Sequence, residues 1–369
     1  MGDILFATTE GTDRYQKRLA GGVQSGHFRR LGDLYVSSIG MGTYLGNSDS
    51  STDRLYQQSI IRAVELGCNV IDTAINYRCQ RSERVIGEVL SWLAREGKLQ
   101  RNEVIVSTKG GFLPYDETPP PDAWAFIQEN FITPGLFTPQ DIVAGCHCIT
   151  PRYIQNQLDQ SLKNLGLSCI DIYHLHNPET QLEEISREEL DQRIRSAFEV
   201  LEESVRLGKI RMYGTATWEG YRRAPSIRGY LSLEKMVELA REVGGEGHHF
   251  KVIQLPYNLA MPEAFLSKNQ RIGELETSLL EAARHLGIYV MASASINQRH
   301  LTQDLSPQVR EVFSGLETDA QRAIQFVRST PGMGTALVGM KQVAHVEENL
   351  KVARFPLTVQ EQVLKLFTK

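Results

Sequence analysis

The chain has 369 residues, with 40 basic and 44 acidic side chains, a formal net charge of −4, and 41% hydrophobic residues. That balance argues against a nucleic-acid or anionic-membrane partner, and no apolar run approaches the roughly 20 residues that span a bilayer. Met1 to Arg18 lacks a basic-then-apolar signal pattern, and five cysteines are an odd, sparse set, so a reduced, cytoplasmic setting is expected in place of export and a disulfide framework. The length suits two or three average domains or one large α/β barrel.

Residues 1–26 are polar and glycine-containing, and they read as a loose arm. The stretch from Phe28 to Val36, with Gly32-Asp33 between apolar flanks, reads as a hairpin ahead of the first strand. From there strand and helix patterns alternate. The helical patterns are Thr52–Leu66, Ser82–Glu96, Pro151–Leu165, Arg187–Leu207, Leu231–Val243, Glu276–Leu286 and Glu317–Ser329. Apolar or β-branched runs lie between them at Asn69–Asp72, Val104–Thr108, Cys169–Leu175, Ile210–Tyr213, Lys251–Leu255, Ile288–Ala292 and Thr335–Val338. Leu-Gly closes a helical stretch at Gly67, Gly166, Gly208 and Gly287, where glycine takes a left-handed cap without a Cβ penalty. A last helix is expected from about Thr358.

This alternation implies a parallel sheet covered by helices. An open doubly wound sheet would ordinarily carry G-x-G-x-x-G in its first turn; only Gly40-Met41-Gly42 is present, without the third glycine. The favoured reading is a closed (β/α)8 TIM barrel occupying residues 27–369 as one domain. Residues 110–150 form a long connection after the third strand, with Pro119-Pro120-Pro121 and six aromatics. A connection of that length is commonly functional, and its place after the strand bearing Lys109 puts it over the active site, with its aromatics lining the pocket.

In such a barrel the chemistry sits where strands run into the following helices. The second strand ends in Asp72, with Tyr77 shortly after; the third ends in Lys109, the fourth in His176, and the sixth contains Gln254. A tyrosine hydroxyl, with a pKa of about 10, is a poor acid near neutrality. A neighbouring Lys109 ammonium, oriented by Asp72, is expected to lower it, while His176 positions a carbonyl oxygen beside the hydroxyl. Such a set suits protonation of an oxygen that gains charge as its carbon accepts hydride, which a reduced nicotinamide would bring. His174 is the neighbour most easily confused with His176; the register before Pro178 and the strand alternation favour His176.

The chain resembles the aldo-keto reductases from about Phe28 to Arg354. The motifs that carry the likeness are Ile39-Gly40-Met41-Gly42-Thr43-Tyr44, Ile71-Asp72-Thr73-Ala74 with Tyr77, Ser107-Thr108-Lys109, Asp171-Ile172-Tyr173-His174-Leu175-His176-Asn177-Pro178, Gly208-Lys209-Ile210-Arg211 and Val346-Glu347-Glu348-Asn349. The resemblance implies a barrel that binds NADP(H) in extended form and acts on a small carbonyl or alcohol substrate. It implies Tyr77 as proton donor, Asp72 and Lys109 as its tuning pair, and His176 as the carbonyl-orienting group. It also implies cofactor contacts from Gly42, Thr43, Tyr44, Thr217, Gln254, Ser293, Gly339, Lys341, His345 and Asn349.

The cofactor side departs from the family pattern. Ala216-Thr217 stands where Ser-Asn is usual, and Ala292-Ser293-Ala294-Ser295 lacks the aromatic that commonly stacks on the nicotinamide; Trp218 or Tyr257 are the available substitutes. At the 2′-phosphate clamp Lys341 is present, with His345 where an arginine is common, so NADPH is the expected cofactor with NAD use left open. These changes motivate a second reading, a cofactor-binding regulatory or scaffold subunit of the same fold with little turnover. No metal site is expected: Cys146-His147-Cys148 has no second Cys/His pair at ligand spacing and reads as ordinary loop thiols. The substrate and the oligomeric state are not legible in the chain.

Overall fold

Every residue of Ile105–Gly110 and Ile170–His176 is buried, so these strands are covered on both faces, the condition of a parallel sheet wrapped in helices. The computed structural model describes residues 6–367. In it, strands β1 (Ile39–Gly42), β2 (Val70–Asp72), β3 (Ile105–Gly110), β4 (Ile170–His176), β5 (Ile210–Ala216), β6 (Phe250–Pro256), β7 (Tyr289–Ser293) and β8 (Thr335–Gly339) pair in chain order and close into a barrel. Closure is made by β8 on β1, with Ala336 opposite Ile39 and Gly339 opposite Gly42 in parallel register. This is a (β/α)8 TIM barrel, and the open sheet is excluded.

The antiparallel hairpin Phe28–Leu31 and Leu34–Ser37 turns through Gly32-Asp33, with Gly32 at φ +58°. It plugs the N-terminal end of the barrel: Leu31, Leu34 and Val36 pack with Val70, Ile105, Ile172, Met212, Val252, Met291 and Leu337, one residue from each of seven barrel strands. Because strand side chains alternate, residues two and four positions further along face the same lumen at greater height. Parity therefore stacks Asp72, Ser107, His174 and Gln254 above the plug, and Lys109 and His176 above them. The barrel's architecture alone sets these levels.

Three expectations are corrected or refined. Part of the arm over residues 1–26 is not loose: Thr9–Leu19 is a helix whose cap, Thr8, accepts from the Gly11 N–H at 3.0 Å. Gly11 lies so close to Asn102 that an added Cβ would come within 2.1 Å of its carbonyl oxygen, and buried Tyr15 donates to the Val64 carbonyl at 2.5 Å. The helix was illegible because only Gly11, Thr12 and Tyr15 are buried, two of them weak helix formers. The C-terminal helix is short, Gln360–Leu364. The 110–150 connection holds a helix, Ala123–Ile127, that widens into a π-turn through Ile132. Its Phe131 and Phe137 rings stack at 5.8 Å and both pack edge-on to Tyr153 of the following helix, as part of the main hydrophobic core. Of its aromatics, Phe112 meets His176.

Two outcomes follow for stability. Leu34→Ala removes a fully buried plug side chain and is expected to cost about 2–5 kcal/mol in urea unfolding. His27, buried between the Ser38 hydroxyl (3.1 Å) and the Gly67 carbonyl (2.9 Å), has its pKa lowered to about 3 by burial and by Arg328. The unfolded chain then binds the extra proton between about pH 6.5 and 3, so folding stability should fall as pH drops through that window. His27→Gln should flatten that part of the unfolding-versus-pH curve; an unchanged slope would remove His27 as its source.

Candidate active site

Asp72 is the hub of the upper lumen. Its Oδ2 accepts from Lys109 Nζ at 2.7 Å, and its Oδ1 accepts from the Ser107 hydroxyl and from Gln254 Nε2, both at 2.9 Å. The Gln254 contact crosses the barrel from β6 to β2. Lys109, fully buried, gives a second hydrogen bond to the Thr73 carbonyl at 2.6 Å. Burial lowers the Lys109 pKa, an effect that the adjacent Asp72 carboxylate opposes. A second buried carboxylate stands nearby: Glu83 accepts from Thr108 at 2.6 Å and Asn164 at 2.8 Å, and burial raises its pKa.

Tyr77 lies above this pair, its ring centroid 5.1 Å from Lys109 Nζ and 5.9 Å from the His176 ring. The four groups expected to act together are thus brought together. One electrostatic expectation is reversed. Burial, Asp72 and Tyr44 hold the Tyr77 phenol well above the ordinary tyrosine range, while the Lys109 ammonium is bonded to Asp72 and Thr73. Tyr77 therefore keeps its proton firmly. Burial and the Lys109 charge hold His176 well below the usual histidine range, so its imidazole is neutral.

Strand alternation does not separate the two histidines, since His174 and His176 share one parity; height does. His176 reaches the mouth beside Tyr77, whereas His174 is one level down and fully buried, with no hydrogen-bond partner on either ring nitrogen among the described residues.

Of the residues expected to touch a cofactor, Gln254 turns into the lumen toward Asp72, and the others lie at or beyond the ends of β1, β5, β7 and β8. Thr43 is buried, its hydroxyl donating to the Asp72 carbonyl at 3.1 Å, and exposed Tyr44 packs edge-on to Tyr77 at 5.0 Å. Gly42, Ser293 and Gly339 are half-buried at the ends of β1, β7 and β8. Thr217 lies at 3.5 Å from the Gln254 carbonyl, so its hydroxyl faces the β6 backbone. Lys341 and exposed His345 flank the start of the helix Val343–Leu350, whose N-terminus has no side-chain cap. Asn349 is buried with its Oδ1 unpartnered. Of the two candidate stacking rings, Tyr257 is buried outside the lumen, stacked on Phe326 at 5.4 Å and bonded to Thr330 at 3.0 Å. Trp218 is 42% exposed at the end of β5.

Three supporting residues had not been singled out. Glu179 Oε1 accepts the backbone N–H groups of Trp218, Glu219 and Gly220 at 2.7, 3.0 and 3.2 Å, fixing the loop after β5. Arg78, directly after Tyr77, is buried and donates to the Asn47 carbonyl at 2.8 Å and to Asp53 at 2.5 Å. Gln80 donates to the Tyr115 carbonyl at 3.1 Å. The only sequence signal for these is their nearness to Tyr77 and His176.

The Aldo/keto reductase family model matches residues 38–365. The chain belongs to that family. It is 28% identical over 190 residues to aldo-keto reductase yakc [NADP(+)] of Schizosaccharomyces pombe, a match that spans 50% of this chain and 44% of that protein. It is 22% identical to aldo-keto reductase str7 of Strobilurus tenacellus over 90% of this chain and 89% of that one. Its fold is shared with a crystal structure of an aldo/keto reductase from Klebsiella pneumoniae in complex with NADP and acetate, at a TM-score of 0.61 and 20% identity over 92% of this chain and 94% of that one. Among the described residues no helix is long and apolar enough to cross a membrane, and no group of three or more His, Cys, Asp or Glu side chains is arranged to hold a metal.

Removing one partner of the buried ion pair strands the other. Lys109→Met is expected to destabilise the fold by about 3–5 kcal/mol, and adding Asp72→Leu should recover part of the loss. Urea unfolding of the two variants checks this; equal stability of Lys109→Met and wild type would mean that Asp72 is paired elsewhere.

Proposed function

We propose that this chain is an NADP(H)-dependent oxidoreductase that reduces an aldehyde or ketone to an alcohol, or catalyses the reverse. The observation that carries this reading is a protonated Tyr77 phenol set between the Lys109–Asp72 pair and a neutral His176 at the barrel mouth. A reduced nicotinamide, when bound, supplies the hydride. The neutral His176 imidazole donates a hydrogen bond to the carbonyl oxygen and holds it toward the Tyr77 hydroxyl. As that oxygen gains charge it becomes a far stronger base than phenolate, and Tyr77 passes its proton to it. Lys109, held by Asp72 and Thr73, keeps its ammonium 5.1 Å from the Tyr77 ring on which the phenolate charge is left. The raised phenol pKa suits this role, since the proton is released only to an oxygen that has become strongly basic.

The residues present fit a dinucleotide. The uncapped N-terminus of Val343–Leu350, with Lys341 beside it, offers backbone N–H groups and one ammonium to a phosphate. The orphaned Asn349 Oδ1 offers a buried acceptor to an adenine amino group. Lys341 supports a preference for NADPH, and exposed His345 keeps NAD use open. Of the two candidate rings, Trp218 is the exposed one and is free to cover the nicotinamide. The five cysteines are all free, in keeping with a cytoplasmic setting.

The test is NADPH oxidation with D-glyceraldehyde, 4-nitrobenzaldehyde and a 3-ketosteroid, run beside Tyr77→Phe. Turnover with at least one carbonyl is expected, and Tyr77→Phe should lose about 10²–10⁴-fold in kcat while NADPH still quenches tryptophan fluorescence. NADPH binding with no turnover above the Phe variant would overturn the enzyme reading in favour of a regulatory or scaffold subunit. Lys341→Met should raise the KM for NADPH and leave that for NADH unchanged; equal wild-type KM values would remove the NADPH preference.

A further inference from the structure

The sequence Cys146-His147-Cys148, which the reaction above does not use, sets His147 directly behind His176. His147 is fully buried, and its Nε2 lies 2.7 Å from the His176 carbonyl oxygen. That carbonyl is one residue beyond the last β3–β4 pair, Gly110 opposite Leu175, so the sheet provides it no partner from β3. The next residue, Asn177, is left-handed (φ 48°, ψ 57°) and carries the chain away from the strand.

The roles of the ring nitrogens follow from the network around them. Arg193 Nη1 donates to Gln181 Oε1 at 2.7 Å, and a guanidinium has no acceptor, so the Gln181 amide is fixed with its nitrogen toward His147. That nitrogen donates to His147 Nδ1 at 2.8 Å. Nδ1 is therefore the acceptor and Nε2–H the donor to His176. Burial lowers the His147 pKa to about 4, which keeps this neutral tautomer at ordinary pH. The contact also has a reserved space. A Cβ on Gly111, at φ +147°, would fall 2.9 Å from the His176 oxygen and 3.0 Å from His147 Nε2. The Phe112 ring stands edge-on to both imidazoles, 4.9 Å from each.

We infer that His147 is a positioning residue for His176, locking the end of β4, and through Phe112 the His176 ring, in the orientation that meets a carbonyl oxygen. The inference rests on the proposed role of His176 at that oxygen. It also makes the connection after β3 part of the catalytic apparatus, because the loop, and not the barrel, satisfies the backbone of a residue at the reacting centre.

The test uses the full chain with NADPH and 4-nitrobenzaldehyde. His147→Leu should lower kcat/KM for the aldehyde at least tenfold while leaving the Kd for NADPH unchanged. His147→Gln, which retains an N–H donor, should stay within threefold of wild type. Gly111→Ala, which leaves His147 in place but fills the gap, should behave as His147→Leu does, and it decides the comparison if His147→Leu fails to fold. In a His176→Ala background, His147→Leu should add no further loss, because both act through one group; a full additional tenfold loss would overturn the inference. So would wild-type kcat/KM in His147→Leu or in a folded Gly111→Ala. Imidazole NMR separates this inference from the enzyme reading: the His176 ring signals should shift in His147→Leu and not in His147→Gln, whether or not any carbonyl turns over. Unmoved His176 signals in His147→Leu would also overturn it.

Discussion

A lysine and an aspartate shut inside a barrel lumen set the terms for the rest of this molecule. Taking either charge out of water alone is prohibitive, so Lys109 and Asp72 must meet, and the remaining lone pairs and protons must find partners. Thr73, Ser107 and Gln254 provide them. Those three come from β3, from β6 across the barrel and from the turn after β2, so the pair is satisfied only when the barrel is closed. The same pair fixes what Tyr77 experiences. With the ammonium directed at Asp72, the phenol is left protonated.

The levels of the lumen explain why the chemistry is confined to one end. The hairpin Phe28–Ser37 fills the other end with aliphatic side chains, so water does not reach Asp72 from below. Above that plug the strands contribute polar side chains at two levels, Asp72, Ser107, His174 and Gln254 first and Lys109 and His176 above them toward the mouth. His174 marks the boundary, a neutral imidazole with the burial of a core residue and the chemistry of a site residue.

The connections tighten what the strands only place roughly. Directly after Tyr77 the backbone turns through three successive left-handed non-glycine residues, Arg78, Cys79 and Gln80, at φ 51°, 53° and 68°. Such conformations cost about 1–3 kcal/mol each, and the surrounding bonds offset them. Arg78 ties to the loop after β1 through Asn47 and to the helix that follows it through Asp53, and Gln80 ties to the loop after β3 through Tyr115. Glu179 does the same for the loop after β5, gathering three N–H groups on one oxygen. Tyr77, His176 and Trp218 are thereby held by contacts from segments far from them in the chain.

The linear pattern determined the barrel, the hairpin, the order of the strands and the places of Asp72, Tyr77 and Lys109 at or just after strand ends, because period, punctuation and strand-end position are local properties. Helix boundaries such as Pro151–Leu165 were legible for the same reason. What only the tertiary structure decided is how those groups act on one another. The raised pKa of Tyr77 depends on burial and on Asp72 beside it, the exclusion of Tyr257 as a platform depends on which side of β6 its turn sends it, and the neutral Nε2–H tautomer of His147 depends on an arginine 46 residues away gripping a glutamine. Even the choice between His174 and His176 rested on height in the lumen, since their shared parity made alternation silent. Electrostatics and hydrogen bonding act through space, and a sequence orders its residues only along the chain.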